Sequence, residues 1–270
     1  MTISITTINI GATSKERAEQ FTNWFDERGD DVYVITEASG GEGTARLLDR
    51  FRDAGYQVAT NVNFGPERGV AIISRIPFRT DQLAPFVDVT IPCRAAAVVL
   101  DTQPALSLVG LYIPSRDASA DKVERKKSFL ESLQHALRAL PAVTRSSIIL
   151  GGDYNVVSRT HLPKYSTFLK FEYDLFDTLS ELGLGDTHMA LHPGDQPHSW
   201  VGRTGDGYRY DYFHAGGAVL PLVKSSEYLS TTRDSKLTDH SAVRLEIDAK
   251  ADRLETRGLR DSSAQTLFDF

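Results

Sequence analysis

Short apolar segments follow one another along this chain, some separated by an amphipathic helix and others by a tight turn. Residues 32–35, 147–150 and 242–247 are apolar runs typical of buried strands. Helices alternate with such strands in the first half of the chain, whereas the turn at Gly65–Gly69 predicts a hairpin. Because hairpins interrupt the series, a simple parallel βαβ wheel does not fit. The sequence therefore predicts an α/β (α+β) fold of two mixed β-sheets covered by helices.

Amphipathic helices account for the longer stretches between these strands. Apolar residues recur at helical spacing in Ser14–Arg28, Thr44–Ala54, Ser119–Leu140 and Leu175–Leu182. Ser14 is a candidate N-cap of the first helix, and Gly29 ends it. The third helix carries a run of cations that we interpret as a solvent-exposed face: Lys122, Arg125, Lys126 and Lys127.

Hairpins and a long loop are predicted for the remaining segments. The hairpins would pair residues 56–63 with 70–74, and residues 94–101 with 105–113. Gly194–Gly207 is rich in Gly, Pro, Asp, His and Ser, which predicts a long loop that contains Trp200. Tyr208–Phe213 has the aromatic content of a strand.

Composition places the chain among ordinary globular proteins. Its 270 residues are 41% hydrophobic and 24% charged. No linker or repeat divides the chain, and we predict one domain over residues 1–249. Residues 250–270 are polar, so we predict a poorly ordered tail there, with a candidate anchor at Leu267 and Phe268.

Charge and cysteine usage restrict the partners and the compartment. The net charge of −6 argues against a protein that coats DNA non-specifically, although an enzyme with a local basic groove is compatible with it. Cys93 is the only cysteine, so no intramolecular disulfide forms and a reducing compartment is indicated. The first residues lack a signal-peptide pattern, and no run approaches the roughly 18 apolar residues of a membrane helix. We therefore expect a soluble cytoplasmic protein without membrane association.

The segment LGGDYNVV, residues 150–157, follows the apolar run at 147–150. Asp153 and Asn155 lie two residues apart, so both side chains project to one face of an extended segment. A carboxylate and a carboxamide at the end of a buried strand are costly to desolvate unless a metal, a ligand or a hydrogen-bond network meets them. A turn in which both side chains bind local backbone amides explains the same residues equally well.

Further polar residues stand at the ends of predicted strands. The full set is Asn9, Glu37, Tyr112, Asp153, Asn155, Asp211, Asp239 and His240. Carboxylate and carboxamide oxygens suit Mg²⁺ or Mn²⁺, whereas one histidine without a cysteine pair argues against structural zinc. A histidine beside a carboxylate can act on negative charge, with a second carboxylate fixing its tautomer.

The order of these segments resembles that of the endonuclease/exonuclease/phosphatase superfamily, and in particular of exonuclease III and the AP endonucleases. The matching segments span about residues 3–247 and read TINIG, ITEAS, RGVAIISR, LYIPS, GGDYNVV, YRYDYF and LTDHSAV. The resemblance implies a four-layer α/β/β/α sandwich. It also implies hydrolysis of a phosphoester by water, with in-line displacement, supported by Mg²⁺ or Mn²⁺.

Roles for the site residues follow from the same resemblance. It assigns metal binding to Asn9, Glu37 and Asp239, and catalysis to Tyr112, Asp153, Asn155, Asp211 and His240. Asp153 would position or deprotonate the attacking water, Asn155 would donate to a phosphoryl oxygen, and His240, oriented by Asp211, would stabilise transition-state charge. Tyr112 would donate to the same oxygens or help the leaving group. The number of metal ions and the identity of the general base stay open.

Three positions depart from the pattern of the DNA-repair branch. Gly11 stands where those enzymes usually have Asn or Asp, Ser115 stands where Asn often follows the tyrosine motif, and Thr187 stands where Arg often occurs. The resemblance therefore supports the metal and phosphate chemistry better than it supports a DNA-repair substrate.

Three function classes are compatible with the sequence: a nuclease acting on DNA, a phosphatase or phosphodiesterase acting on a small phosphorylated molecule, and a binding module. The binding module is disfavoured because every catalytic position is present. Cations in the predicted rim loops favour DNA, and they are Arg116, Lys164, Lys170, Arg203, Arg209, Arg233 and Lys236. We predict that Trp200, Arg203, Tyr208 and Arg209 bind substrate, although core packing explains Trp200 and Tyr208 equally well. A monomeric DNA phosphodiesterase is the favoured prediction.

Overall fold

The structure, a computed structural model, describes residues 2–60, 66–80, 83, 86 and 88–260. The helices are α1 (Lys15–Arg28), α2 (Glu42–Asp53), α3 (Ala120–Ala139), α4 (Ala142–Ser146), α5 (Lys170–Glu181), α6 (Thr187–Leu191) and α7 (Thr231–Asp234). The strands are β1 (Thr2–Asn9), β2 (Val32–Ala38), β3 (Gln57–Thr60), β4 (Gly69–Ser74), β5 (Phe78–Arg79), β6 (Ala95–Leu100), β7 (Thr102–Gln103), β8 (Leu106–Tyr112), β9 (Ile148–Asp153), β10 (Leu184–Asp186), β11 (Trp200–Val201), β12 (Gly207–Tyr208), β13 (Asp211–Gly216), β14 (Val223–Leu229), β15 (Ala242–Asp248) and β16 (Lys250–Ala251). The four predicted helices are present, and so are the strand pairings of the two predicted hairpins, β3 with β4 and β6 with β8. Residues 61–65 of the first predicted hairpin lie outside the described residues.

Two six-stranded mixed sheets form the centre of the fold. The first sheet has the order β14-β15-β1-β2-β4-β3, and the second has the order β10-β13-β9-β8-β6-β5. Each sheet contains one parallel pair at its middle, β1 with β2 and β8 with β9, and antiparallel pairs on both sides of it. The two sheets thus repeat one pattern of pairings, and in each the carboxyl ends of the central strands lie at the same edge.

Apolar side chains fill three layers between and outside these sheets. Ile72 and Leu108 belong to the core shared by the two sheets. Phe25 of α1 packs in the cluster outside the first sheet, and Phe129 of α3 packs in the cluster outside the second. The predicted four-layer α/β/β/α sandwich is confirmed. Gly110 of β8 shows how closely the sheets approach, since a Cβ atom there would lie 2.7 Å from a methyl group of Val70.

Local sequence signals explain where α1 begins and ends. The Ser14 hydroxyl accepts a hydrogen bond from the Arg17 backbone N–H at 3.3 Å, as expected of an N-cap. Gly29 adopts a left-handed conformation with φ +59°, and its N–H bonds to the Phe25 carbonyl. Both predicted boundaries of this helix are confirmed.

The predicted exposed face of α3 is wrong at one position, Lys126. Its side chain is only 1% exposed, and its Nζ lies 2.7 Å from Oε1 of the buried Glu172 of α5. The same ammonium donates to the backbone carbonyl of Asn155 at 2.7 Å. Lys126 lies on the side of α3 that faces α5, where a carboxylate compensates its charge. Lys122 and Arg125 are exposed, as predicted.

The segment predicted as a long loop also contains regular structure. Trp200–Val201 pairs with Gly207–Tyr208 as a small two-stranded sheet. Trp200 additionally pairs with His240 through an isolated β-bridge. The predicted strand at Tyr208–Phe213 is therefore divided, and its second part, β13, begins at Asp211. This division lets β12 pair with β11 while β13 joins the second sheet.

Residues 250–260 pack against the domain, so the expectation of a poorly ordered tail does not hold for them. Lys250–Ala251 pairs with Thr102–Gln103. The Arg253 guanidinium lies 2.6 Å from Asp31, and Leu259 is buried. The candidate anchor at Leu267 and Phe268 lies outside the described residues. Across the described part of the chain, no helix has the length and apolarity needed to cross a membrane.

Candidate active site

The predicted site residues converge at one edge of the sandwich. Asn9 ends β1, Tyr112 ends β8 and Asp153 ends β9. Asp153 lies directly opposite Tyr112 on β8 and opposite Asp211 on β13 in the register of the second sheet. Strand pairing alone therefore places three of the predicted side chains next to one another.

Asn9 connects the two sheets at this edge. Its Nδ2 donates to Glu37 Oε1 at 3.2 Å and to Asp153 Oδ2 at 2.9 Å, and it lies 3.5 Å from His240 Nε2. Its Oδ1 accepts the Gly11 backbone N–H at 2.9 Å, which sets the orientation of the carboxamide. The Asn9 amide thus connects the Glu37 carboxylate of the first sheet to the Asp153 carboxylate of the second sheet.

Glu37 is held in an uncommon backbone conformation with φ +55°, which costs energy for a residue with a side chain. The Tyr112 hydroxyl donates to Glu37 Oε1 at 3.0 Å, and Arg68 forms an ion pair with the other oxygen. Burial and the neighbouring Glu37 charge raise the pKa of Tyr112, so this hydroxyl keeps its proton. These contacts aim the Glu37 carboxylate into the site.

Asp239 lies on the opposite wall of the same cavity, which has a volume of about 660 Å³. The Trp200 indole N–H donates to Asp239 Oδ2 at 2.9 Å. Burial tends to raise the pKa of Asp239, but the His240 charge and the indole hydrogen bond outweigh it, so the net pKa is lowered. Asp239 is therefore ionised at neutral pH.

The predicted hydrogen bond between Asp211 and His240 is present. His240 Nδ1 lies 2.8 Å from Asp211 Oδ2, and both side chains are buried. Burial tends to lower the pKa of His240, but the Asp211 carboxylate outweighs it and raises this pKa to about 10. With Nδ1 bound to Asp211, the Nε2 atom of the imidazolium faces Asn9 and the other site residues.

Asp153 and Asn155 interact directly, as their spacing suggested. The Asn155 backbone N–H donates to Asp153 Oδ1 at 2.9 Å, and its side-chain Nδ2 donates to Asp153 Oδ2 at 3.1 Å. Asn155 has φ +51° and also donates to the Ile113 carbonyl. Burial, with the nearby Asp211 charge, raises the pKa of Asp153 to about 7. These are the local amide contacts of a turn, and they occur beside the buried Asp211–His240 pair.

Among the predicted substrate-binding residues, Trp200 and Tyr208 belong to a half-buried aromatic group at the rim. The ring centroids of Tyr208 and Tyr210 are 5.1 Å apart, and those of Tyr165 and Tyr208 are 4.2 Å apart in a stacked arrangement. The Trp200 ring lies 5.6 Å from Tyr208. Arg203 is exposed between β11 and β12. These side chains lie at the surface, whereas full burial would indicate core packing.

The fourth predicted substrate-binding residue, Arg209, is buried. Its two terminal nitrogens lie 2.7 and 2.8 Å from the Asp186 carboxylate, and its Nε donates to the Tyr228 hydroxyl at 2.6 Å. Asp186 also caps α6 by accepting two backbone N–H groups. The Arg209 guanidinium is therefore engaged in a structural ion pair and is left out of the proposed substrate surface.

Two cations near the site had no role in the sequence interpretation, Arg17 and Arg68. Arg68 directly precedes β4, and β4 pairs with β2, the strand that carries Glu37. The hairpin prediction placed Arg68 in a turn and did not include the pairing of β4 with β2, so it gave no signal for this contact. Arg17 lies in the first turn of α1 and lines the cavity that holds Glu37 and Asp239.

The two-sheet sandwich, with carboxylates, an amide and a histidine gathered at the ends of its central strands, defines a class of phosphoester hydrolases. The chain belongs to the Endonuclease/Exonuclease/phosphatase family, whose model matches residues 6–240. No curated protein sequence matches it.

Solved structures share the fold. An AP endonuclease from Archaeoglobus fulgidus superimposes with a TM-score of 0.74 at 19% identity, covering 91% of this chain and 99% of that one. A 3′-5′ exonuclease from Neisseria meningitidis gives 0.72 at 21% identity, covering 91% and 100%. A 3′ phosphatase from Neisseria bound to a product DNA hairpin gives 0.71 at 20% identity, covering 91% and 99%. At these identities the likeness shows the fold.

Members of this family use divalent metal ions, and the residues present fit such an ion. Glu37 and Asp239 offer carboxylate oxygens to one cavity. Deeper in the site, ligand atoms of Asp153, Asp211 and His240 lie within 4.8 Å of one another, but His240, charged through its contact with Asp211, has no lone pair to offer a metal, so the carboxylates are the candidate ligands there. Asp211 Oδ1 is buried without a hydrogen-bond partner among the described residues. Hard oxygen donors of this kind match the preference of Mg²⁺ and Mn²⁺.

Proposed function

We propose that this protein is a Mg²⁺- or Mn²⁺-dependent phosphodiesterase that acts on DNA. The observation that carries the proposal is the Asn9 carboxamide, which lies within 3.5 Å of Glu37, Asp153 and His240 and so joins the predicted metal and catalytic groups. A divalent cation held by Glu37 and Asp239 would supply Lewis-acid polarisation of a phosphoryl oxygen. Asn9 was predicted as a third ligand, but its oxygen accepts the Gly11 N–H and its nitrogen donates to Glu37 and Asp153, so we assign it to orienting these two carboxylates.

The protein groups have separable roles in this reaction. His240, charged through Asp211, presents Nε2 as a donor to a phosphoryl oxygen where negative charge develops. Asp153 has a raised pKa of about 7, suited to positioning and deprotonating water at neutral pH. The Asn155 side-chain amide donates to Asp153 and to the Ile113 carbonyl, and it would donate to a second phosphoryl oxygen by giving up one of these two bonds. Tyr112, which keeps its proton, donates it to Glu37 and would donate to a phosphoryl or leaving oxygen by giving up this bond.

DNA is the proposed substrate because of the surface beside the site. Trp200 and Tyr208 supply partly exposed rings, and stacking with a base contributes about 1–3 kcal/mol per base. Arg203 is exposed on the hairpin that carries both rings. Solved structures with this fold include an AP endonuclease and a phosphatase bound to a DNA hairpin, which supports the same substrate class. A monomeric state and a cytoplasmic location stay predictions.

The test is a panel of an abasic duplex, a blunt duplex, a single strand and phosphorylated small molecules, each with Mg²⁺, with Mn²⁺ and with EDTA. We expect hydrolysis of DNA that EDTA abolishes and either metal restores. A His240→Asn variant assigns the activity to this site, and His135→Asn, a change at an exposed histidine of α3, is the matched control. Arg203→Ala and Trp200→Ala should weaken binding to short DNA across a salt series.

The second candidate is hydrolysis of a small phosphoester, and the acidic net charge of −6 favours it. Undetectable or salt-insensitive DNA binding, together with rapid phosphate release from a small monoester, would establish it in place of the DNA activity. Full turnover in EDTA would remove the metal-dependent mechanism for both candidates.

A further inference from the structure

Four cations surround the cavity that contains Glu37 and Asp239. They are Arg17, Arg68, Arg233 and Lys236, and we call this site the basic cavity. The cations come from separate parts of the chain: α1, the residue before β4, and the segment of α7 and its following turn. The fold assembles them at one place even though they are far apart in sequence.

Arg17 is fixed in this cavity by the backbone around it. One terminal nitrogen donates to the Ile10 carbonyl at 3.0 Å and to the Leu237 carbonyl at 3.1 Å. The guanidinium occupies space that a side chain at Gly11 would need, since a Cβ there would lie 3.2 Å from the same nitrogen. Its Nε is buried and has no hydrogen-bond partner in the part of the chain that the structure describes. A guanidinium positioned in advance can bind an anion without losing further side-chain entropy.

The charges of the basic cavity favour an anion. Four cations line the cavity with two carboxylates, and Arg233 also lies 3.9 Å from Asp234, which still leaves positive charge in excess in a chain whose net charge is −6. A divalent ion on the carboxylates would add to this excess. Glu37 and Asp239 would hold the metal beside the reacting phosphate, whereas Asp153, Asn155 and His240, which are proposed to act on that phosphate directly, do not line this cavity. Arg17, Arg233 and Lys236 have no role in the proposed reaction, so their charge is available to another anion.

We propose that the basic cavity is a second phosphate subsite, which binds the phosphate adjacent to the scissile one. The inference rests on the proposed function, because it presumes a phosphoester reacting at Asp153 and His240. Its ligand is a neighbouring phosphate group, either an internucleotide phosphate of a DNA strand or the second phosphate of a small molecule. The enzyme would then discriminate against substrates that carry only one phosphate.

Oligonucleotides with one neutral linkage test this subsite. In each oligonucleotide a methylphosphonate replaces one phosphate. This phosphate is adjacent to the scissile linkage, on its 5′ side in one oligonucleotide and on its 3′ side in the other. One of these two positions should raise KM several-fold in the wild-type protein. Lys236→Met, at an exposed position, should raise KM for the unmodified oligonucleotide by a similar factor. For the oligonucleotide whose methylphosphonate already raises KM, the same substitution should cause no further increase. Lys224→Met is the control, because Lys224 pairs with Asp248 at the far end of β15 and should leave KM unchanged.

The salt dependence gives a second readout. Each lost phosphate contact should reduce the change in Kd between 50 and 200 mM salt by about threefold. Lys236→Met and Arg233→Met should show this reduction, and Arg17→Lys should show less of it because the charge is retained. Additive effects of Lys236→Met and the methylphosphonate, with an unchanged salt dependence, would overturn the inference.

A binding measurement separates this inference from the proposed function. By calorimetry, inorganic pyrophosphate should bind the wild-type protein more tightly than inorganic phosphate, and Lys236→Met should remove most of that difference. If no DNA is hydrolysed but this difference is found, the DNA activity fails, the subsite stands, and its ligand is the second phosphate of a small molecule. If pyrophosphate and phosphate bind alike to both proteins, the subsite is refuted whatever the substrate.

Discussion

Replacing Lys126 by Met tests whether a buried charge holds the turn at Asp153–Asn155 in place. The wild-type ammonium lies 2.7 Å from Glu172 Oε1 and donates to the Asn155 carbonyl at 2.7 Å. Met fills a similar volume but leaves Glu172 buried with one cation fewer. Breaking a buried ion pair costs about 3–5 kcal/mol. Glu172 keeps Arg116 Nε at 3.0 Å and the Leu169 N–H at 2.8 Å, so we expect a loss of ~3 kcal/mol, at the lower end of that range.

Such a loss corresponds to a fall in Tm of about 6 °C or more for a domain of this size. The Lys126→Met protein should also have a lower kcat with little change in KM. The reason is that the hydrogen bond from Lys126 to the Asn155 carbonyl, which helps to keep Asn155 at φ +51°, is lost. Thermal unfolding followed by tryptophan fluorescence measures the first effect, and DNA hydrolysis measures the second. Lys127→Met, at the neighbouring and more exposed position, is the control. Equal Tm and kcat values for the two variants would refute the reasoning.

The pH dependence of stability follows from the same contacts. Burial tends to raise the pKa of Glu172, but Lys126 and Arg116 outweigh it, so its pKa is lowered in the folded protein. A lowered pKa means that the stabilisation is complete above the ordinary value of about 4.3 and is lost as the pH falls through the folded value. Without the Lys126 charge the folded pKa rises, so acid unfolding of Lys126→Met should begin at a higher pH than that of Lys127→Met.

Three further changes test the site and the tail. Glu37→Ala should weaken Mn²⁺ binding at least about tenfold by calorimetry, and an unchanged affinity would contradict its role as a ligand. Asp211→Asn should lower kcat by about 10²-fold or more while the far-ultraviolet spectrum is unchanged, because burial then lowers the pKa of His240 and Nε2 loses its charge. Arg253→Met should lower Tm by a few degrees, since Arg253 pairs with the buried Asp31; a Tm equal to that of the wild-type protein would show that the tail contributes nothing.

Patterns that repeat within one element were predictable from the sequence, and the resemblance to known motifs predicted the distant pair Asp211–His240, but distant pairings outside those motifs were not predictable. The ends of strands and the resemblance to known motifs located Asn9 and Asp153. Lys126 was misassigned although its spacing held the correct signal: it lies three residues before Phe129 and four before Leu130, which are both buried. Only the identity of its partner, Glu172, was missing, and that partner lies on another helix.

Arg209 and the tail illustrate the same difficulty. The Arg209–Asp186 pair depends on β10 lying beside β13, a neighbour relation that the spacing of the two segments does not reveal. Residues 250–260 are polar, and composition alone predicts disorder for such a segment. Their order depends on contacts such as Arg253 with Asp31 and the Leu254 N–H with the Arg75 carbonyl. Charged residues that the sequence predicts to be exposed to solvent, such as Arg209 and Arg253, form ion pairs with residues that are distant in the sequence.

The site depends on the distance between the two sheets. Asn9 and Glu37 belong to the first sheet, and Tyr112 and Asp153 belong to the second. Among these four residues, two hydrogen bonds join the sheets, from Asn9 to Asp153 at 2.9 Å and from Tyr112 to Glu37 at 3.0 Å. Gly110, two residues before Tyr112, permits the approach, because any side chain there would press on Val70 of the opposite sheet. Hydrogen bonds weaken steeply beyond their normal length, so the packing of the shared core sets the geometry of the proposed catalytic groups.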